Sequence, residues 1–122
     1  MVVEDDPEMR AMLKDFLERE GYRVIDRVSG EQALKAIESE GFTAVILDKE
    51  IPGMRGLDLL SVLRRDWPKV PVILITAFGG AAVAEEAFAR GANRYLEKPF
   101  RVDDLLAVLR SVTTEDRCPR PR

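Results

Sequence analysis

The chain has 122 residues, of which 46% are apolar and 34% charged, and these proportions fit one soluble globular domain with a buried core. A formal net charge of −3 and a pI near 5.1 provide no strong positive field to hold the phosphates of nucleic acid, so direct nucleic-acid binding is not expected. Histidine is absent, which excludes Ser-His and Cys-His nucleophile pairs, histidine-ligated zinc and a phosphohistidine intermediate within this chain.

Five strand patterns alternate with five helix patterns along the chain. The first strand is followed by Asp6 and Pro7, the pattern of a helix N-cap with proline at the first helical position. Ser29 and Gln32 form a capping-box pattern at the start of the second helix. The predicted strands cover residues 1–4, 22–28, 42–47, 70–75 and 94–97, and the helices that follow them are predicted to end at or before Gly21, Gly41, Pro68, Gly91 and Val112.

This alternation predicts an α/β domain with a doubly wound parallel sheet, and right-handed crossovers place helices on both of its faces. The helical pattern ends at Val112, so residues 1–112 are assigned to one domain and residues 113–122 to a tail or the start of a linker. Cys118 is the single cysteine, which excludes a disulfide within the chain, and no apolar run approaches the roughly 20 residues of a membrane span. A reducing, cytoplasmic location away from the membrane is expected.

Polar side chains follow four of the predicted strands. Glu4 and Asp5 follow the first strand, Asp48 the third, Thr76 the fourth and Lys98 the fifth. Taken singly, each has an ordinary structural explanation: a helix start for the acids, a turn for the aspartate, a helix cap for the threonine and a surface position for the lysine. Because ligands of doubly wound folds bind beyond the carboxyl ends of the strands, their joint placement favours a shared site.

The residue types at this edge indicate phosphoryl chemistry. Several carboxylates close together repel one another unless a cation lies among them, and carboxylate oxygens suit Mg²⁺. Asp48 is the candidate nucleophile toward a phosphoryl group, because carboxylates form aspartyl phosphates. Lys98 would offer a positive charge and Thr76 a hydroxyl donor to the phosphoryl oxygens.

In order and spacing, four motifs resemble the receiver domains of two-component response regulators, over essentially the whole chain through Val112. The motifs are Val2-Val3-Glu4-Asp5-Asp6, Leu47-Asp48 with Pro52 and Gly56, Ile75-Thr76-Ala77, and Lys98-Pro99-Phe100. The resemblance implies a flavodoxin-like (βα)5 three-layer sandwich whose sheet has the order 2-1-3-4-5.

The resemblance also implies how the site works. Mg²⁺ is expected to be held by Asp5 and Asp48, with Glu4 acting through water and the main-chain carbonyl of Glu50 completing the site. Asp48 is expected to accept a phosphoryl group from a phosphohistidine on a sensor histidine kinase or a histidine phosphotransfer protein. The domain would catalyse its own phosphorylation and dephosphorylation without being a turnover enzyme.

A switch is implied as well. Thr76 is expected to move toward the phosphoryl group, with Tyr95 swinging inward behind it, and the peptide before Pro99 is expected to be cis. This motion would reshape the face made by the fourth helix, fifth strand and fifth helix, which could also form a homodimer. The output domain or partner, and the cognate kinase, are not identified by these residues.

Some features depart from the common pattern of the family. The first strand is short at its start, which favours a chain that has lost residues before Met1. Glu50 and Phe78 occupy positions that tune the phosphoryl lifetime in receivers. Glu50 could compete for the metal or pair with Lys98, and Phe78 could shield the phosphoryl group from water, or both could simply fill loop space.

Two other functions are open at this point. Asp48-Lys49-Glu50 loosely resembles the Asp-x-Asp motif of haloacid-dehalogenase phosphatases, although that family places the motif after its first core strand and here it follows the third. The second alternative is a binding module that signals by partner contact without phosphate. Receivers of that kind generally lack one of the acids, the threonine or the lysine, and none of these is missing here.

Overall fold

A computed structural model describes residues 1–39 and 41–115, the last two by their backbone alone. The strands are β1 (Val2–Val3), β2 (Asp26–Arg27), β3 (Val45–Asp48), β4 (Val72–Thr76) and β5 (Arg94–Glu97). The helices are α1 (Pro7–Arg19), α2 (Gly30–Ser39), α3 (Gly56–Asp66), α4 (Ala81–Ala89) and α5 (Val102–Glu115). In this described part of the chain, no helix is both long enough and apolar enough to cross a membrane.

The strands of the described residues form one parallel sheet in the order β2-β1-β3-β4-β5. This confirms the flavodoxin-like (βα)5 fold and the predicted order 2-1-3-4-5. In the register, Asp48 lies beside Ile75 and Thr76 lies beside Glu97. The carboxyl ends of the three strands that carry these residues therefore meet at one edge of the sheet.

Alternate residues of the strands pack on opposite faces, as the period of two in a strand requires. One face packs against α2, α3 and α4 through Val3, Val45, Leu47, Val72 and Leu74. The other face packs against α1 and α5 through Val2, Ile46, Ile73 and Ile75. Full burial of one such side chain contributes about 1.5–3 kcal/mol, so these two layers hold the strand ends in place.

The predicted helix starts are confirmed by their hydrogen bonds. Asp6 accepts a hydrogen bond from the main-chain nitrogen of Glu8 at 3.0 Å, and Pro7 is the first residue of α1. At the start of α2, the Ser29 hydroxyl accepts a hydrogen bond from the main-chain nitrogen of Gln32 at 3.2 Å. Each cap satisfies a donor that the first turn of a helix leaves without a partner.

Several element bounds differ from the sequence-based predictions. Three strands are shifted or shortened by one to three residues at an end: β1 is Val2–Val3 and not 1–4, β3 is Val45–Asp48 and not 42–47, and β4 is Val72–Thr76 and not 70–75. β2 covers Asp26–Arg27 and not residues 22–28, because this edge strand pairs with β1, which is itself two residues long. α5 continues through Glu115, beyond the predicted end at Val112. There Thr113 is buried, and its hydroxyl donates to the main-chain oxygen of Leu109 at 3.0 Å. The rest of the predicted tail, with Cys118, lies outside the described residues.

Candidate functional site

Asp48 is the last residue of β3, and its side chain is 3% exposed. Its Oδ1 accepts a hydrogen bond from the main-chain nitrogen of Glu50 at 3.0 Å, and its Oδ2 accepts one from Lys98 Nζ at 2.8 Å. The start of α3 lies close to this turn, because a Cβ atom at Gly56 would be 2.5 Å from the main-chain oxygen of Asp48. Glycine is thus required where α3 begins, and this close approach fixes the backbone that carries Asp48.

Lys98 follows β5 and lies between two buried carboxylates. Its Nζ is 2.9 Å from Glu4 Oε1 and 2.8 Å from Asp48 Oδ2, and the Glu4 side chain is 1% exposed. The second oxygen of Glu4 accepts a hydrogen bond from the main-chain nitrogen of Asp6 at 3.2 Å. Glu4, Asp48 and Lys98 therefore meet at one edge of the sheet, as predicted from the sequence.

The electrostatics of this cluster follow from burial. Burial raises the pKa of Asp48, and the neighbouring Glu4 carboxyl raises it further, against opposing hydrogen bonds from Lys98 and the Glu50 main chain. Burial lowers the pKa of Lys98, but its hydrogen bonds to Asp48 and Glu4 outweigh that effect and leave the pKa above its ordinary value. Two carboxylates share the Lys98 ammonium, so an additional cation at this site would be stabilised.

The arrangement of acids fits a hard divalent cation. Glu4, Asp5 and Asp48 each place one carboxylate oxygen within 4.8 Å of the others. Asp5 is exposed while the other two are buried, so the cluster opens to solvent on one side. Mg²⁺ binds oxygen ligands, commonly keeps several waters and is often shared with phosphate, which matches this half-open set of donors.

Thr76 ends β4 beside this cluster and is fully buried. Its hydroxyl donates to the Glu50 carboxylate, at 2.9 and 3.0 Å from the two oxygens, and accepts a hydrogen bond from the main-chain nitrogen of Phe78 at 3.0 Å. Glu50 is also 3.0 Å from Lys49 Nζ. The expectation that Glu50 could pair with Lys98 is therefore wrong, since its partners are Lys49 and Thr76. A threonine hydroxyl carries one proton, and here Glu50 is its acceptor.

Tyr95 lies in β5, the strand next to β4. Its hydroxyl donates to Glu97 Oε2 at 3.0 Å, and its ring is tilted against that of Phe88 with 6.5 Å between the ring centroids. Phe78 follows β4 and is 70% exposed. The peptide between Lys98 and Pro99 is cis, as the resemblance implies.

Arg10 is a residue of the site that the sequence did not single out. Its Nη1 donates to the main-chain oxygen of Glu4 at 2.9 Å, and its Nε is 3.4 Å from Asp26 Oδ2. The guanidinium thus holds the turn that carries the first acids. No local pattern predicts this role, because an arginine on a partly exposed helix face is ordinary until the helix is placed against the strand ends.

The comparisons with known proteins agree with this geometry. The family model of the response regulator receiver domain matches residues 1–110. The chain belongs to this receiver family. It is therefore a signalling domain of a two-component system, and the alternative of a haloacid-dehalogenase phosphatase is excluded.

Curated relatives of this receiver are larger proteins. It is 37% identical over 121 residues to the transcriptional regulatory protein TcrA of Mycobacterium tuberculosis, covering 99% of this chain and 48% of TcrA. It is 42% identical over 106 residues to the response regulator protein FleR of Pseudomonas aeruginosa, covering 87% of this chain and 22% of FleR. The receiver thus spans about half of the first protein and less of the second.

Solved structures of receiver domains superimpose closely. The receiver domain of NtrX from Brucella abortus has a TM-score of 0.88 and 31% identity, covering 93% of this chain and 96% of that one. A CheY-like receiver domain protein from Methanospirillum hungatei has a TM-score of 0.89 and 29% identity, covering 93% and 91%. Fold and family therefore agree along the described chain.

Proposed function

We propose that this receiver accepts a phosphoryl group on Asp48 from a phosphohistidine of a sensor histidine kinase or a histidine phosphotransfer protein. The observation that carries the proposal is the position of Asp48, buried at the strand edge with Lys98 Nζ at 2.8 Å and two further carboxylates close by. A nucleophile needs this fixed orientation, and a transferred phosphoryl group needs nearby positive charge.

The transfer exchanges one bond for another. A carboxylate oxygen of Asp48 forms the new O–P bond while the P–N bond of the donor breaks, and the electron pair of that bond stays on the departing imidazole. Lys98 donates to the phosphoryl oxygens during the transfer. A bound Mg²⁺, held by Asp5, Asp48 and the main-chain carbonyl of Glu50 with Glu4 acting through water, would supply charge neutralisation for the phosphoryl group. Hydrolysis of the aspartyl phosphate by water restores the resting domain.

The proposed switch starts at Thr76. Its hydroxyl leaves Glu50 and donates to a phosphoryl oxygen, and Tyr95 moves inward behind it. The face formed by α4, β5 and α5 then changes, and this change controls an output domain or partner, or forms a homodimer. A cytoplasmic location is part of the same proposal. Sedimentation with and without a phosphoryl mimic tests the dimer, and a monomer in both states rejects it.

Intact-mass measurement after incubation with Mg²⁺ and acetyl phosphate tests the phosphoryl acceptor. The wild-type chain is expected to gain one phosphoryl group, and Asp48→Ala is expected to gain none. Asp15→Ala, which removes an exposed acid of α1, is the matched control and should behave as wild type. No adduct on the wild type, or an equal adduct on Asp48→Ala, would overturn the proposal, and the first result would favour signalling by contact alone.

A further inference from the structure

Glu97, an exposed residue at the end of β5, has one carboxylate oxygen that accepts two hydrogen bonds. Oε2 accepts from the Tyr95 hydroxyl at 3.0 Å and from the main-chain nitrogen of Gly80 at 2.8 Å. Gly80 is the residue immediately before α4. A single oxygen atom therefore joins the side chain of a predicted switch residue to the start of the neighbouring helix.

The β4–α4 loop has the shape that this contact requires. A Cβ atom at Gly79 would collide with the Tyr95 hydroxyl and with Glu97 Oε2, so glycine leaves the space in which the two groups meet. Gly80 has a φ of 125°, a conformation that residues with a side chain rarely adopt. The two glycines thus let the main chain come within hydrogen-bonding distance of a carboxylate from β5.

The start of α4 also benefits from an external acid. Gly80, its N-cap, has no side chain to accept a hydrogen bond, and the first turn of α4 carries no acidic residue. The first amides of a helix need acceptors, and negative charge is stabilising at that end of the helix dipole. Glu97 supplies such a charge from another element. Burial and the Glu97 carboxylate raise the pKa of Tyr95 against an opposing interaction with the Gly80 main chain, which agrees with a close approach of these three groups.

We propose that Glu97 is a positioning residue that couples the position of the Tyr95 side chain to the stability of the first turn of α4 at Gly80. When Tyr95 moves away, the shared oxygen loses one of its two donors, the carboxylate is no longer fixed, and its bond to the Gly80 amide weakens. Displacement of the tyrosine is thereby transmitted to α4 through one side chain. The transmission step rests on the proposed function, because Tyr95 moves as part of that switch, whereas the coupling itself is a property of the resting domain.

Hydrogen exchange of the Gly80 amide, measured by NMR on the full unphosphorylated chain, tests the coupling. Glu97→Ala is expected to speed this exchange about tenfold, as the loss of a charge-assisted hydrogen bond at a partly exposed site would do. Tyr95→Phe, which keeps the ring against Phe88, is expected to speed it by a smaller factor. The double variant should match Glu97→Ala alone. Glu85→Ala, an exposed acid of α4, should leave the exchange unchanged.

Unchanged exchange in Glu97→Ala, or no effect of Tyr95→Phe on Gly80, overturns the coupling. The same measurement with Mg²⁺ and the phosphoryl mimic beryllofluoride tests transmission. Bound mimic is expected to speed the exchange of Gly80 in the wild type and to add nothing in Glu97→Ala, and a bound mimic without effect on the wild type overturns transmission. A wild type that binds no mimic contradicts the proposed function, and the resting measurements still decide the coupling.

Discussion

Replacing Glu50 by alanine should make the domain respond more strongly to a phosphoryl group. In the resting domain the single proton of the Thr76 hydroxyl is donated to Glu50, at 2.9 and 3.0 Å from its two carboxylate oxygens. The same proton cannot be donated to a phosphoryl oxygen on Asp48 at the same time. Binding of the phosphoryl group therefore includes the cost of breaking the contact with Glu50, and Glu50→Ala removes that cost.

The size of the effect follows from the contact. A hydrogen bond to a charged group contributes about 1.5–3 kcal/mol when it is protected from water. The Glu50 side chain is 35% exposed and also pairs with Lys49, so a value of about 1 kcal/mol is more suitable. Since 1.4 kcal/mol corresponds to a tenfold change in affinity, about 1 kcal/mol predicts about fivefold tighter binding of a phosphoryl mimic.

Titration with beryllofluoride at saturating Mg²⁺, followed by the NMR signal of the Thr76 amide, measures this affinity. Saturating Mg²⁺ separates the effect from any competition of Glu50 for the metal, which a separate Mg²⁺ titration measures. Glu50→Gln, which keeps the shape of the side chain but not its charge, should give an intermediate gain, and Glu85→Ala should give none. The gain must disappear when Thr76 is alanine, as in a double-mutant cycle. An unchanged or weaker affinity in Glu50→Ala, or an equal gain without Thr76, would refute the reasoning.

Four further predictions follow from the same site. Lys98→Met deprives two buried carboxylates of their ammonium partner, so the free energy of unfolding measured in urea should fall by about 3–5 kcal/mol. Lys69→Met, at an exposed position, should change it by less than about 0.5 kcal/mol. Similar values for the two variants would contradict the shared ion pair. In metal-free buffer, the raised pKa of Asp48 means that the folded state keeps this proton to higher pH than the unfolded state, so stability should fall as pH rises from 3.8 through the raised pKa. The free energy of unfolding of Asp48→Asn, measured in urea, should lack this decline. Parallel pH profiles for the wild type and Asp48→Asn would show that Asp48 does not cause it. Gly56→Ala should lower the free energy of unfolding by about 1–3 kcal/mol and slow phosphorylation, because its Cβ would lie 2.5 Å from the main-chain oxygen of Asp48. Wild-type stability and phosphorylation rate in this variant would argue against the close approach. Phe78→Ala should change the free energy of unfolding by less than about 0.5 kcal/mol, because the side chain is exposed, but it should shorten the lifetime of the aspartyl phosphate. Equal autodephosphorylation rates in the variant and the wild type would mean that the ring does not shield the phosphoryl group.

Much of the fold and of the site could be predicted from local patterns. Asp6 with Pro7 and Ser29 with Gln32 mark helix starts, because a cap satisfies its hydrogen bonds within a few residues. The apolar strand patterns alternate with helix patterns, and this alternation predicts a parallel sheet. Parallel strands bring their carboxyl ends to one edge, so the meeting of Asp48 with residues of other strands was predictable before any distance was known.

The ends of elements were less predictable than their existence. The apolar and β-branched residues of 22–28 fit a strand, yet the length of β2 is limited by the short partner it pairs with. α5 passes Val112, and the burial of Thr113 just beyond it is produced by the rest of the domain. Both outcomes depend on neighbours in space, and local propensity contains no term for them.

The sequence by itself determined which chemical groups meet at the carboxyl edge of the sheet, since periodicity predicts the strands, their alternation with helices predicts a parallel sheet, and each strand end can be read from the sequence. The order of the strands came from the resemblance to receiver domains. The tertiary structure alone decided which group each of them contacts. Lys98 lies between Glu4 and Asp48, which are 94 and 50 residues away along the chain, and the Thr76 proton is directed to Glu50. A hydrogen bond needs its two atoms within about 3 Å of one another. That distance is set by loop conformation and side-chain packing, which spacing along a sequence does not specify.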